Sequence, residues 1–322
     1  MLKTLLITGC AGFIGSSLVE KIVDDYQIIG VDEFNDYYNP LWKEENVKNF
    51  LNHPHFKLYR TDIRDYQILE EIFRQNKIDK IIHLAARAGV RPSLKDPLLY
   101  EEVNVKGTLN LLELSRKNQI KHFIFASSSS VYGNQNKVPF SETDPTDQPI
   151  SPYAATKKAG ELFCRLYNEN YQIKMTCLRF FTVYGPKGRP DMAPYLFTKA
   201  ILNGEEIQKF GDGQTQRDYT YIDDIIEGIN KVIEKEFDFE IFNLGNNNPV
   251  SLNDFIKNLE EITGKQMQIK QMPIPAGDVV KTYADIAKAK KLLGWQPQTN
   301  FKTGLEKFVA WYKNNRLLNM SS

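Results

Sequence analysis

The stretch Leu5-Leu6-Ile7-Thr8-Gly9-Cys10-Ala11-Gly12-Phe13-Ile14-Gly15 decides the fold. A short apolar run ends in glycines spaced three apart and continues as an amphipathic pattern, Phe13, Ile14, Leu18, Val19, Ile22 and Val23. This reads as a buried strand feeding a helix through a turn free of Cβ atoms. Such a turn lets a pyrophosphate approach the backbone and sit at the helix N-terminus, where unpaired N–H groups and the helix dipole favour negative charge. Spaced glycines also occur in ordinary β-α-β units that hold no cofactor. The next strand, Gln27-Ile28-Ile29-Gly30-Val31-Asp32, strengthens the cofactor reading, because it ends in an acid about 20 residues beyond the glycines. A carboxylate there accepts the ribose hydroxyls of NAD and repels the additional phosphate of NADP.

Composition bounds the rest. A chain of 322 residues, 42% hydrophobic and 25% charged, can bury a large core as one big or two unequal domains. A net charge of +1 offers no broad field for nucleic acid or anionic lipid, so an anionic ligand must be held by a few local groups. No apolar run approaches the roughly 20 residues of a membrane span. Met1-Leu2-Lys3-Thr4 leads straight into the first strand without a signal-peptide pattern, and Cys10, Cys164 and Cys177 are scattered as free thiols would be. Both features imply a cytoplasmic protein. The histidines lack metal-ligand spacing, so no metal is expected.

Strand patterns at 56–59, 80–84, 123–126 and 175–179 alternate with helical patterns at 66–75, 99–117 and 154–171. Alternation of this kind implies right-handed crossovers and an α/β fold, a Rossmann-type doubly wound parallel sheet. Ligands of such sheets bind outside the carboxyl ends of the strands. The glycine turn, Asp32, Thr61-Asp62-Ile63, Leu84-Ala85-Ala86 and Ser127–Ser130 all fall at those ends. Beyond about residue 180, prolines and glycines make the pattern irregular, as in a smaller mixed second domain, although 239–244 reads as a strand returning to the sheet. The expected division is 1–180 with about 214–250 for the dinucleotide domain, and 181–213 with 251–322 for the other.

The chemistry lies in Ser127-Ser128-Ser129-Ser130-Val131-Tyr132-Gly133 and in Tyr153-Ala154-Ala155-Thr156-Lys157. Tyr153 and Lys157, four apart on a helix, share one face. A nearby ammonium favours phenolate and is expected to lower the tyrosine pKa from its solution value near 10. The pair can then take a proton from an alcohol while hydride leaves the same carbon. A strand-end serine, Ser127, Ser128 or Ser129, can bond that alcohol oxygen and relay the proton. Tyr–Lys pairs at this spacing occur on many helices by chance, so the assignment depends on context.

In that context, Gly9–Gly15, Asp32, His83–Val90 (HLAARAGV), Ser127–Gly133, Tyr153–Lys157 and Arg217-Asp218-Tyr219-Thr220-Tyr221-Ile222-Asp223-Asp224 occur in one order over nearly the whole chain. The chain thereby resembles the extended short-chain dehydrogenase/reductase family, in particular its nucleotide-sugar epimerases. The resemblance implies an NAD kept through the catalytic cycle, a UDP-sugar bound between the two domains, and a homodimer through the helices at about 99–117 and 154–171. By position it also implies that Gly9, Gly12, Phe13, Ile14 and Gly15 cradle the pyrophosphate. Asp32, Asn35, Asp62 and Ile63 would serve the adenosine half, and Leu84, Ala85 and Ala86 would line the path to the nicotinamide. Lys157 would also hold the nicotinamide ribose.

Within that family the substrate is narrowed by three stretches. Thr182 stands where glucose epimerases usually carry asparagine, Gly188-Arg189-Pro190-Asp191-Met192-Ala193 follows, and Met272–Val279 lacks the arginine common in UDP-galactose epimerases. All three resemble the UDP-glucuronate 4-epimerases, as does His83–Arg91. The substrate residues so implied are Ser128, Ser129, Thr182, Arg189, Arg217 and Asp278. Arg189 is a suitable fork for a uronate carboxylate; its alternatives are a phosphate ligand or a loop cap, and Arg217 is the better phosphate candidate by family position. The expected reaction converts UDP-glucuronate to UDP-galacturonate through a 4-keto sugar. Alternatives are a UDP-glucose or UDP-N-acetylglucosamine 4-epimerase, a UDP-glucuronate decarboxylase or sugar dehydratase, and an NAD-sensing regulator. Decarboxylases and dehydratases of the family carry an acid before Val-Tyr-Gly, where this chain has Ser129-Ser130, and such regulators commonly lack the Tyr/Lys pair.

Overall fold

Strand β1 (Thr4–Thr8), four of its five residues buried, passes through the glycine turn into helix α1 (Phe13–Ile22). There follow β2 (Gln27–Asp32), α2 (Pro40–Val47), β3 (Phe56–Arg60), α3 (Tyr66–Gln75), β4 (Lys80–His83), α4 (Val90–Lys95) and α5 (Pro97–Glu101). A π turn (Glu102–Lys106) then leads into α6 (Gly107–Lys117), β5 (His122–Ser128), α7 (Pro152–Tyr171) and β6 (Lys174–Phe180). The computed structural model describes residues 2–273 and 281–315.

After β6 come β7 (Thr182–Tyr184), α8 (Ala193–Asn203), β8 (Glu206–Phe210), β9 (Gln216–Tyr221), α9 (Ile222–Glu234) and β10 (Phe239–Leu244). The last elements are β11 (Pro249–Ser251), α10 (Leu252–Thr263), β12 (Gln268–Met272), β13 (Lys281–Thr282), α11 (Ala287–Leu293) and α12 (Phe301–Asn314). Seven parallel strands form one sheet in the order β10-β6-β5-β4-β1-β2-β3. Strand order reverses between β1 and β4, and ligands of such sheets sit in the crevice at that point. The expected return of 239–244 is met by β10, which adds to β6 at the edge.

Helices cover both faces, so the central strands β1, β2, β4, β5 and β6 are buried along almost their whole length, while the edge strand β3 is not. Leu5, Ile7, Ile28, Ile82 and Ile124 enter the core under α1 and α9, while Leu6, Ile29, Ile81, Phe123 and Phe125 enter the one under α3, α6 and α7. Alternate residues of each strand thus divide between the cores. Helix α3 shows why these segments coil: Leu69, Ile72 and Phe73 share its buried face, and Asp65 caps its start by accepting from the Ile68 amide at 3.1 Å.

Two smaller sheets, β11-β9-β13 with β7 on β9, and β12-β8, build the remainder. Tyr184, Tyr219, Phe255 and Phe301 pack together there, with ring centroids 5.2–6.1 Å apart in adjacent pairs. The helix expected at 99–117 is instead α5, the π turn and α6. Gly107 lies against Ile63, whose Cδ1 would be 2.5 Å from an added Cβ, so the widened turn passes close to the end of β3. Among the described residues no helix is long and apolar enough to cross a membrane.

Candidate active site

Gly9 turns the chain at φ 71°, and a Cβ there would lie 2.8 Å from the Ala85 nitrogen. Gly15 is tighter, since an added Cβ would stand 2.0 Å from the Gly9 carbonyl oxygen. The third glycine is what lets α1 start directly over the turn. Gly12 is the N-cap of α1 and offers its first amides no side-chain bond. The N–H groups of Phe13 and Ile14 also lack intrahelical acceptors. A Cβ on Gly12 would meet only the Gly9 oxygen, at 3.2 Å, and otherwise open space. A close-packed turn with uncapped amides facing that space fits a dinucleotide pyrophosphate.

Asp32 is buried at the end of β2, its Oδ2 accepting from the Ala11 amide at 3.1 Å and its Oδ1 from Phe34 at 2.9 Å. Lone pairs remain on both oxygens for ribose hydroxyls. The buried Lys43, which the sequence reading did not single out, sits 3.7 Å from Asp32 Oδ1 and donates to Asn35 Oδ1 at 3.0 Å. Burial holds its ammonium below its ordinary pKa against the pull of Asp32. The ammonium also reduces the net negative charge facing a ribose there. Asn35 donates its amide to Glu33. Asp62 accepts from Arg64 through the backbone N–H (2.8 Å), Nε (2.8 Å) and Nη2 (2.7 Å). Burial opposes its ionisation, but the Arg64 bonds outweigh it and hold the carboxyl below the usual range. Ile63 is buried, and its carbonyl accepts from Asn110 at 3.0 Å.

Leu84, Ala85 and Ala86 follow β4 beside the glycine turn, backed by a directed chain of bonds. The Ala85 amide donates to Thr8 Oγ1 (3.2 Å), which meets His83 Nδ1 at 2.7 Å; His83 Nε2 meets Thr108 Oγ1 at 3.0 Å. Thr108 donates onward to the Asn104 carbonyl at 2.5 Å, which assigns the ring proton to Nε2. Burial, and secondarily the Lys157 charge, lower the His83 pKa to about 3, so the ring is neutral. Asn104, in the π turn, accepts from the Arg87 amide (2.8 Å) and donates to the Arg87 carbonyl and Thr156 Oγ1, both at 3.0 Å. Thr156 donates to the Tyr153 carbonyl at 2.9 Å. One network thus joins the 84–87 loop to the helix that carries Tyr153. Asn104 and Thr156 had no sequence signal beyond lying near the named motifs.

Ser151 caps α7 by accepting from Ala154 at 3.1 Å, and Pro152 occupies the first turn. Tyr153, Lys157 and Glu161, each four apart, tie three consecutive residues at the end of β5. The Tyr153 phenol faces the Ser128 hydroxyl, Lys157 Nζ donates to the Ala126 carbonyl at 2.6 Å, and Glu161 Oε1 accepts from Ser127 Oγ at 2.6 Å. Ser128 Oγ also accepts from Ser130 N (3.2 Å) and Ser130 Oγ (2.9 Å). Ser127 is therefore turned to Glu161, not to Tyr153, as the two-residue period of a strand demands. Ser129 opens the short 3₁₀ turn Ser129–Tyr132.

The expected depression of the tyrosine pKa by Lys157 is corrected by the geometry. Burial raises the Tyr153 phenol above its ordinary 10.0; the Ser128 bond and then the Arg189 charge oppose it. Lys157 is itself lowered to about 8 by burial, and its Nζ is committed to Ala126. The cation that acts on Tyr153 here is Arg189.

Beneath the serines lies a buried ion pair that the sequence reading missed. Arg179 reaches Glu161 through Nε and Nη2, each at 2.8 Å, with both side chains 2% exposed. Its guanidinium lies 4.8 Å from the centre of the Tyr132 ring, and Tyr132 donates to Asn243 at 2.7 Å. A glutamate four residues after Lys157 was the available signal.

On the facing side, Thr182 opens β7 opposite Tyr219 of β9. Arg189 bonds Asp191 and, through Nη2, the Tyr37 hydroxyl at 3.2 Å. Arg217 lies on β9 in register with Val250 and Thr282, its Nη1 donating to the Gln216 carbonyl at 2.9 Å. Asp278 falls outside the described residues. Tyr153, Ser128 and Arg189 are thus brought together around one crevice.

Comparison with known proteins gives the family. The family described as GDP-mannose 4,6 dehydratase matches residues 6–308. A UDP-glucuronate 4-epimerase of Thermodesulfobacterium geofontis is 44% identical over 312 residues, 96% of each chain. The crystal structure of UDP-glucuronic acid 4-epimerase from Bacillus cereus, in complex with UDP-glucuronic acid and NAD, is similar with a TM-score of 0.91 at 36% identity, covering 96% of this chain and 99% of that one. UDP-glucose 4-epimerase of Thermotoga maritima, with UDP-glucose, gives a TM-score of 0.88 at 36% identity, covering 96% and 98%. The family match runs from β1 into α12, and the chain belongs to the GDP-mannose 4,6-dehydratase family of extended short-chain dehydrogenases/reductases.

Proposed function

We propose that the chain is an NAD-dependent UDP-glucuronate 4-epimerase that produces UDP-galacturonate. The observation that carries this reading is the Arg189 cation, tethered to Tyr37, whose hydroxyl shares the Ala88 carbonyl with Tyr100, the residue packed edge-on against the Tyr153 ring. On the sugar itself a neutral hexose offers a guanidinium only hydroxyls, whereas a uronate offers a carboxylate that matches its fork. Bound NAD would accept the C4 hydride and return it. Tyr153 takes the C4 hydroxyl proton with Ser128 as its bonded partner, and Lys157 holds the nicotinamide ribose. Gly9, Gly12, Phe13, Ile14 and Gly15 cradle the pyrophosphate, Asp32 takes the ribose hydroxyls, and Asn35, Asp62 and Ile63 flank the adenine. Leu84, Ala85 and Ala86 line the nicotinamide path, while Ser129, Thr182, Arg217 and Asp278 contact the UDP-sugar.

Oxidation at C4 makes a β-keto acid, which loses CO₂ when the C5–carboxylate bond aligns with the carbonyl π system. Arg189 and Thr182 hold the carboxylate out of that alignment until the keto sugar begins to turn. Ser129 and Ser130 stand where an acid would serve a lyase, which favours epimerisation. The sugar binds between the dinucleotide domain and segments 181–213 and 251–322. Two copies pair through the helices at about 99–117 and 154–171, where Leu162, Leu166 and Tyr171 are exposed. The three buried free cysteines suit the cytoplasm.

An NMR time course with UDP-glucuronate, UDP-glucose and UDP-N-acetylglucosamine tests the substrate. UDP-glucuronate is expected to turn over fastest, and Arg189→Ala to slow it by about 10–100-fold with little change in any UDP-glucose turnover. Equal losses on both sugars would overturn the uronate reading.

A further inference from the structure

Arg189 and Asp191 stand two residues apart in the loop between β7 and α8. The aspartate takes the side-on edge of the guanidinium, Nε to Oδ1 at 3.0 Å and Nη2 to Oδ2 at 2.5 Å. Arg189 is the more buried of the two, 20% exposed against 41%, so the pair runs from solvent into the site. Its inner end is anchored. Nη2 donates to the Tyr37 hydroxyl, and the hydroxyls of Tyr37 and Tyr100 both donate to the Ala88 carbonyl, at 2.8 and 2.6 Å. Tyr100 in turn meets the Tyr153 ring edge-on at 6.2 Å. Asp191 and Tyr37 together use Nε and Nη2, and Nη1 makes no bond among the described residues.

Both forked edges of the guanidinium include Nη2, whose two hydrogens go to Asp191 and Tyr37, so a substrate carboxylate can make two parallel bonds only by displacing one of them. A 4-epimerisation also requires the keto sugar to turn over within the site, so a carboxylate seated on Arg189 in one orientation must leave it in the other. A partly buried guanidinium deserted in that step would be a stranded charge, which is strongly unfavourable. A carboxylate two residues away can replace the departing one at small cost in chain entropy. Resting on the uronate reading above, we propose that Asp191 is the exchange partner of Arg189. It caps the guanidinium whenever the sugar carboxylate is elsewhere and yields the fork when that carboxylate arrives. Because the two carboxylates compete for one set of donors, Asp191 weakens binding of the resting substrate and speeds its release for rotation.

The test uses the NAD-containing protein carrying Tyr153→Phe, so that binding is measured by calorimetry without turnover. Adding Asp191→Asn is expected to tighten UDP-glucuronate binding by about tenfold, the size of one charge-assisted hydrogen bond, and to leave UDP-glucose within about twofold. Asp191→Glu, which keeps a competing carboxylate, is expected to restore the looser binding. In the protein with Tyr153 intact, Asp191→Asn should lower kcat and KM for UDP-glucuronate together. Weaker UDP-glucuronate binding after Asp191→Asn, or equal shifts for both sugars, overturns the exchange role. Arg189→Ala in the same background separates the two failures. If it leaves UDP-glucuronate binding unchanged, the uronate reading itself falls. If it weakens that binding while Asp191→Asn fails to strengthen it, only the exchange role falls.

Discussion

Lys157 should cost the fold stability, and Lys157→Met should reveal how much. Its side chain is 4% exposed, and burial brings the ammonium from 10.5 down to about 8. Carrying that charge into the fold therefore costs about 3 kcal/mol while the group is protonated. Methionine fills similar space but gives up the bond from a charged donor to the Ala126 carbonyl, about 2 kcal/mol. The variant is expected to be more stable by about 1 kcal/mol at pH 7 and to lose its activity. The sign of the pH dependence follows from which state binds the proton better. Here the unfolded chain does, so between pH 8 and 10.5 it carries more protons than the folded one. Wild-type stability from this group therefore rises with pH in that window, and between pH 7 and 9.5 the difference should move against methionine by about 2 kcal/mol, enough to reverse its sign. Urea unfolding of both proteins, freed of bound nucleotide so that ligand binding adds nothing, measures the difference at the two pH values. A destabilising Lys157→Met at pH 7, or a difference that does not move with pH, would refute a charged, desolvated Lys157.

Tyr153→Phe should cut turnover by on the order of 10²-fold or more while UDP-sugar binding survives; kinetics that keep most of the activity would shift the proton transfer elsewhere. Glu161→Ala strands Arg179 and should cost about 3–5 kcal/mol in urea unfolding. Ser127→Ala removes only one bond to a charged group, about 1.5–3 kcal/mol, so the reverse ranking would contradict the buried pair. Gly15→Ala forces a Cβ to within 2.0 Å of the Gly9 oxygen and should empty the dinucleotide site, read as nucleotide released on denaturation; undiminished NAD content would show that the turn can relax.

Most of the site's frame was legible because it rests on local backbone chemistry. Gly9 is demanded by its positive φ and Gly15 by the Gly9 carbonyl 2.0 Å from where a Cβ would stand, both constraints set within the turn, while Gly12 keeps the space over the turn open. The 3.6-residue period similarly announces α3, whose bounds Tyr66–Gln75 coincide with the pattern read. The one long helix at 99–117 failed for the opposite reason. Its apolar period runs through the π turn unbroken, and only the approach of Ile63 to Gly107, with the bonds Asn104 makes to Arg87 and Thr156, marks the change. Beyond residue 180 the strands are short, three residues in β7 and in β11, too brief for a period to show.

The amino-acid sequence by itself determined the strand–helix alternation of the first 180 residues, the parallel sheet and the residues that line its carboxyl edge, because spacing along the chain sets which side chains share a face. Only the tertiary structure decided how those side chains are charged and where they point. Tyr153 and Lys157 share a helix face, yet burial raises the phenol's pKa and lowers the ammonium's, and the cation acting on the phenol is Arg189, from a loop beyond β7. Ser127 and Ser128 are neighbours in sequence, but one is committed to Glu161 and the other to Tyr153. Desolvation and long-range pairing depend on what the rest of the fold packs around a group, and no spacing along one segment encodes that.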